Sequence, residues 1–334
     1  MSAATASVDT NRARPADAIA SWSRRNAWVL GLIGLMILLL LFTKAIQPRY
    51  GPIPIQGLGT SVLPLALAAV AQAVVVIGGG IDLSIGSMMA LTSVISAMLM
   101  KNQSDAFGVG VVIGVLVLGV LLGAANGSLV MVTRVPDIVV TLAMSFVWAG
   151  LALLIAPRPG GAAVGWLKAL VVGPFLNEWI PKAAVVLLVV VAVSWIPISR
   201  SRFGLYLYAI GSNRLAAFRS GVPVGRTRVM AYAVTGFFAA LAGLSLTAST
   251  GIGTPVPGPY TLLSVAAIVL GGVNLAGGRG GVFGPIVGVV VLQLIQTDMT
   301  FLSIDSNLAL VAQGVILIGV VMVGSLLEMR RRRT

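Results

Sequence analysis

Long stretches without charge decide what this chain can become. Between Arg49 and Lys101 lie 51 residues and one charge, Asp82. From 229 to 278 there is no charged residue at all. A helix needs about 20 apolar residues to cross the hydrocarbon of a bilayer, so each of these runs is long enough for two crossings. Only 9% of the residues are charged, against about 25% in a soluble domain. Such a chain has too little polar surface to cover itself in water, and the membrane class follows. The 40 glycines agree, because helices in lipid pack closely through small residues.

Counting uncharged runs gives an all-α, polytopic membrane protein of about ten transmembrane helices. The runs are 26–43, 51–81, 83–100, 106–133, 138–157, 183–199, 229–278, 280–297 and 306–327. The 229–278 run counts twice, because the prolines and glycines of "GIGTPVPGP" (251–259) break a helix. An even number of spans puts both termini on one side. With both termini cytoplasmic, sixteen of the 22 lysines and arginines fall inside and six outside, as the positive-inside rule asks. Residues 1–25, rich in Ala, Ser and Arg, read as a disordered cytoplasmic tail. Residues 26–327 form the transmembrane domain, and 328–334 a basic cytoplasmic tail. The first span lacks a small-residue cleavage site and has a long charged leader, so it is expected to stay as an anchor.

Several chemistries are excluded at this stage. Cysteine and histidine are both absent, which removes thiolate sites, the commonest metal ligand and the usual base near neutral pH. No catalytic residue and no metal ligand is assigned. The formal charge of +13 would point to nucleic acid in a soluble protein. Here the basic residues sit in short loops between apolar runs, so a nucleic-acid partner is not expected. No G-x-x-x-x-G-K-[ST] phosphate loop occurs, so the chain is not expected to hydrolyse ATP itself.

Three polar interruptions remain. The first, "GGGIDLSIGS" (78–87), places Asp82 and Ser84 among glycines at the join of two spans. One reading is a turn in which Asp82 or Ser84 caps the next helix. The other is a break in the membrane that lines a translocation path, where an ionisable group is tolerated. The second, "AIVLGGVNLAGGRGG" (267–281), echoes the first, with Val-Asn-Leu in place of Ile-Asp-Leu. That echo reads as a duplicated element, and transporters are often built from internal repeats. Gln72, Gly79, Gly80, Asp82, Ser84, Gly271, Gly272 and Asn274 are the candidates for the path and its broken-helix motifs. Asp137, in "RVPDIVV", reads as an acid at a helix start, where the macrodipole favours it.

The third interruption is the 200–228 loop, with six arginines and no acid. Within it, "SNRLAAFRSGV" has the grammar of a short amphipathic helix. Ser212 or Asn213 caps it, Leu215, Ala216 and Phe218 give an apolar side, and Gly221 stops it. One account is a basic loop drawn to lipid phosphates. The other is a docking helix gripped by a cytoplasmic partner.

Taken together, these motifs resemble the permease subunit of ribose-type bacterial ABC importers, which take up carbohydrates. The resemblance runs through "GGGIDLSIGSMMAL", "PRPGG" (157–161), "AIGSNRLAAFRSGVPV" (209–224) and "GGVNLAGGRGGVFGPIVG" (271–288), and covers roughly 28–326. It implies a multi-pass protein of the bacterial inner membrane that moves a sugar or sugar-like solute inward by alternating access. It implies three partners besides lipid: a cytoplasmic ABC ATPase that binds the ATP, an extracytoplasmic sugar-binding protein, and a second permease copy or paralogue. The chain itself would then need no cofactor. Gly211, Asn213, Arg214, Ala216, Ala217, Phe218 and Gly221 are the positions expected to couple to the ATPase. A self-contained transporter driven by an ion gradient is the alternative, and a histidine-free chain with one well-placed acid fits it poorly.

Overall fold

The computed structural model describes residues 27–256, 258–304 and scattered positions between 308 and 322. The two expected tails and most of the 306–327 run lie outside these residues. Within them the chain is helical, and the only bridges between extended segments are isolated pairs, Gly160 with Gly253 and Pro174 with Pro181. In chain order the helices are α1 (Ala27–Ile46), α2 (Pro52–Ile77), α3 (Ile85–Met100), α4 (Asp105–Thr133), α5 (Asp137–Ile155), α6 (Gly165–Val171), α7 (Lys182–Arg200), α8 (Arg202–Ser212), α9 (Arg214–Arg219), α10 (Val224–Thr250), α11 (Tyr260–Leu270) and α12 (Phe283–Phe301).

Among the described residues, seven helices are long and apolar enough to cross a membrane: α1, α2, α4, α5, α7, α10 and α12. The expected tenth span, 306–327, lies mostly outside the described residues. Two expected spans, α3 and α11, are 16 and 11 residues long. At 1.5 Å per residue, neither reaches across about 30 Å of hydrocarbon. The turn at 78–84 takes residues that hydropathy assigns to a span. The 251–259 break and the glycines from 271 onward leave α11 only its middle.

α2 is the hub. Its residues from Val62 to Ile77 are buried almost without exception, and it packs against α10, α12, α11 and α7. A helix apolar all round belongs in such a place. The closest packing joins α4 to α10. Gly119, Gly123 and Gly127 recur every four residues along one side of α4 and face Tyr232, Gly236 and Ala240 of α10. A side chain at Gly123 would overlap the Tyr232 carbonyl oxygen. Without a hydrophobic drive between helices in lipid, such backbone approach is what van der Waals packing exploits. On the far side, α4, α5 and α7 present large apolar residues outward, such as Ile113, Phe146 and Val193.

Candidate functional site

The first glycine turn begins where α2 stops. Gly79 and Gly80 donate back to Val76 O (2.9 Å) and Val75 O (3.0 Å). Gly79 has φ +76°, the left-handed residue that closes a helix of this kind. The chain then runs through Ile81–Ser84 with both polar side chains fully buried. Asp82 Oδ1 accepts from the Ser84 backbone N–H (2.8 Å) and hydroxyl (2.6 Å). Asn126 Nδ2 donates to Ser84 Oγ at 2.7 Å, and Trp148 Nε1 to Asn126 Oδ1 at 3.3 Å. A chain of polar groups thus links the turn to α4 and α5.

This geometry corrects the capping reading. Ser84 stands at the N-cap of α3 without a side-chain cap bond, and its backbone is already helical. Asp82 closes a local turn onto Ser84 instead. The free N–H of Gly86 in the first turn of α3 is met by Thr261 Oγ1 of α11 at 2.9 Å. Ten residues upstream of Asp82, Gln72 is fully buried on α2. Among the described residues, neither its amide atoms nor Asp82 Oδ2 has a hydrogen-bond partner. Most buried polar groups are paired, so these atoms stand out, as do the Tyr50 hydroxyl and Asp298 Oδ2 elsewhere in the described residues.

Asp137 has a role that the sequence does not reveal. It opens α5 as the acid of the first turn, as the sequence reading has it, but makes no side-chain cap bond there. Its Oδ2 pairs with the Arg228 guanidinium and accepts from the Tyr232 hydroxyl at 2.7 Å. Arg228 and Tyr232 are one helical turn apart on α10, and both are buried. The cluster presses on the first turn: a Cβ at Gly80 would lie 2.6 Å from Asp137 Oδ2 and 3.0 Å from the Tyr232 hydroxyl. An R-x-x-x-Y pair on one helix face was the available signal.

The second turn ends α11 as the first ends α2. Gly272 and Val273 donate to Val269 O (3.0 Å) and Ile268 O (2.9 Å), and Gly272 has φ +79°. Gly271 is buried, with α12 packed directly on it at Pro285. Asn274, two residues past the left-handed glycine, is exposed, and its Oδ1 accepts from the Ala276 N–H at 2.9 Å. Asp82 lies three residues past Gly79, so the first turn is one residue longer. The structure does not bring Asn274 into the interior with Gln72, Asp82 and Ser84.

The 200–228 segment sits against both turns. Near the end of α8, Gly211 leaves no room for a side chain, which would overlap the Ile77 carbonyl oxygen and the Gly278 nitrogen. Gly278 N donates to that same Ile77 oxygen at 2.9 Å. A Cβ on Gly277 would lie 2.9 Å from Gly79 Cα and 3.0 Å from Gly211 Cα. Three glycine segments, distant in sequence, therefore touch backbone to backbone. Tyr208 of α8 adds a hydrogen bond to Gly280 O at 2.8 Å.

Beyond this junction, Asn213 breaks the helix and caps α9, its Oδ1 accepting from the Ala216 N–H at 3.0 Å. Gly221, at φ +81°, follows the end of α9. Ala217 is buried with Ile210 and Val224. Arg214, Leu215, Ala216 and Phe218 face outward. Leu215 and Phe218 line a groove of about 680 Å³ with Met131, Arg214, Val222 and Arg226.

The sequence model of the family described as "Branched-chain amino acid transport system / permease component" matches residues 55–324. The ribose import permease protein RbsC of Bacillus subtilis (strain 168) is 32% identical over 298 residues, 86% of this chain and 89% of that protein. The D-allose transport system permease protein AlsC of Escherichia coli (strain K12) is 31% identical, over 75% of this chain and 76% of its own length. The autoinducer 2 import system permease protein LsrD of Escherichia coli O9:H4 (strain HS) is 27% identical, over 92% and 95% respectively. No solved structure matches.

Proposed function

Since the chain belongs to the branched-chain amino acid transport system / permease component family, we propose that it is the membrane subunit of an ATP-binding-cassette importer for a sugar or sugar-like solute. It is a multi-pass membrane protein, and in this reading the membrane is the bacterial inner membrane, with residues 26–327 as the permease body. The names of its relatives, which import ribose, allose and autoinducer 2, favour a sugar-like cargo over an amino acid. They also favour this reading over a self-contained transporter driven by an ion gradient.

The observation that carries the mechanism is the glycine junction. A separate ATPase binds ATP and grips α9 through Arg214, Leu215 and Phe218. Gly211 passes its movement to the backbone of both glycine turns, because no side chain intervenes to absorb it. The first turn bears on Asp82, Ser84 and Gln72, which are shut inside the protomer in this conformation. The second bears on α12 through Gly271. Alternating access then needs the nucleotide state to favour one arrangement of these turns over the other. A neutral sugar passes a path of Ser, Asn and Gln by brief contacts that replace part of its water. The matching ends of α2 and α11 support an internal repeat. An extracytoplasmic binding protein supplies the solute, and a second copy or paralogue completes the assembly.

The test is reconstitution of the permease with its ATPase and binding protein in proteoliposomes. Uptake of the binding protein's sugar should require ATP, and Phe218→Asp should weaken ATPase co-purification while the permease still inserts. Uptake driven by an ion gradient without the ATPase would overturn the reading.

A further inference from the structure

At the end of α7 remote from the coupling segment, residues 172–181 fold into a tight hairpin. Phe175 N donates to Ile180 O (2.9 Å), Lys182 N to Gly173 O (3.0 Å), and Pro174 bridges to Pro181. Gln56 Nε2 of α2 donates to Glu178 O at 2.8 Å. Pro181 sits so close over Gly59 that a Cβ there would lie 2.7 Å away. The hairpin is thus braced against the helices, and what it holds out is apolar. Leu176 is 83% exposed and Trp179 55%, and Phe175, Ile180, Leu170 and Val172 are exposed as well. Glu178 is its only charge.

A patch of this kind is too apolar for water alone. We propose that it is a wedge that inserts into the headgroup–acyl boundary of the leaflet opposite the coupling segment. Three observations select lipid as the occupant. The patch is continuous with the apolar outside of a helix long and apolar enough to cross a membrane, since α7 follows at once and exposes Leu188, Val189 and Val193, while Ile53 is exposed one turn from Gln56 on α2. Its composition, Trp and Phe beside aliphatic residues, is that of an interfacial belt. Lys182, at the end of the hairpin, turns its ammonium onto Ala169 O at 2.9 Å, so a cation stands beside the apolar patch, the pairing that suits a headgroup boundary. A rigid wedge at one end of α7 fixes the depth of that helix while the coupling segment moves at its other end.

The chain has no cysteine, so a single label reports this directly. Leu176→Cys carries an environment-sensitive fluorophore, in full-length protein in vesicles of phosphatidylcholine and phosphatidylglycerol. Gln103→Cys, exposed in the α3–α4 loop, is the aqueous control, and Phe175→Cys repeats the measurement on the same hairpin. A nitroxide on the lipid chain near the headgroup should quench the hairpin labels several-fold more than aqueous iodide does, with the order reversed at Gln103→Cys. Quenching of the hairpin labels by iodide and not by the lipid nitroxide would overturn the proposal. So would an emission shift that appears only on adding the extracytoplasmic binding protein, which would make the patch a protein-docking surface.

Discussion

α2 and α11 stop on the same hydrogen bonds, with Gly79 and Gly272 in the same left-handed conformation, yet Asp82 ends in the interior and Asn274 on the surface. Both acidic or amide side chains close a local turn onto the residue two further on. The difference lies in what covers them. Asn126, Trp148 and the Asp137–Arg228–Tyr232 cluster surround the first turn. The second turn is met by Trp28 of α1, whose indole donates to Leu270 O at 2.8 Å and covers Gly272. Local sequence writes the end of a helix, and distant residues decide whether the following side chain works in water or in the core.

Breaking the surroundings of the first turn should have the largest effect. Asp137→Ala leaves Arg228 buried without its counter-charge, a loss of about 3–5 kcal/mol, read as a lower unfolding midpoint in detergent. Among the described residues the second turn has no such pair, and Arg279→Ala beside it should leave the midpoint unchanged. Next comes Asp82→Ala. It strands the buried Ser84 N–H and hydroxyl, at about 1–3 kcal/mol, and uptake should fall by roughly tenfold or more. Asp82→Asn keeps the acceptor and should retain most uptake, an outcome that excludes an obligatory proton relay at this position. Phe218→Asp acts on neither turn directly. It should weaken ATPase binding by about 2 kcal/mol, the scale of an interface hot spot, measured by titration of the two proteins. The smallest effect belongs to Asn274→Ala, an exposed change within about 0.5 kcal/mol, with uptake near wild type. Equal losses for Asp82→Ala and Asn274→Ala would erase the contrast drawn between the turns.

What the sequence made legible was local. Asn213 ahead of an amphipathic hexapeptide announces a capped helix, and α9 forms with that cap. Glycines in succession announce the turns. Hydropathy locates most helices because uncharged length is what a membrane demands. It could not show that α11 stops after 11 residues, since a helix broken at depth leaves its flanking apolar residues in place. Nor could it pair Asp137 with Arg228, 91 residues away, or give Thr261 to the start of α3. Within α9, the amphipathic pattern identified an apolar side, but Ala217 packs inward and Leu215 and Phe218 outward, because the hairpin of α8 and α9 builds a small core of its own. The meeting of Gly79, Gly211 and Gly277 is legible only in three dimensions.

That meeting is the centre of the account, and spin labels can follow it. Ser220 and Asn274 are both exposed, one beside α9 and the other in the second turn, and the chain supplies no competing cysteine. Labels on S220C and N274C, in the permease assembled with its ATPase, should keep their separation to within about 2 Å between nucleotide-free and ATP-bound states, less than one helical-turn ratchet. The distance from Ser220 to Gln103 at the opposite end should change over the same step. A Ser220–Asn274 distance that shifts by several ångström on ATP binding would show that the coupling segment moves without the turn, and would contradict the account.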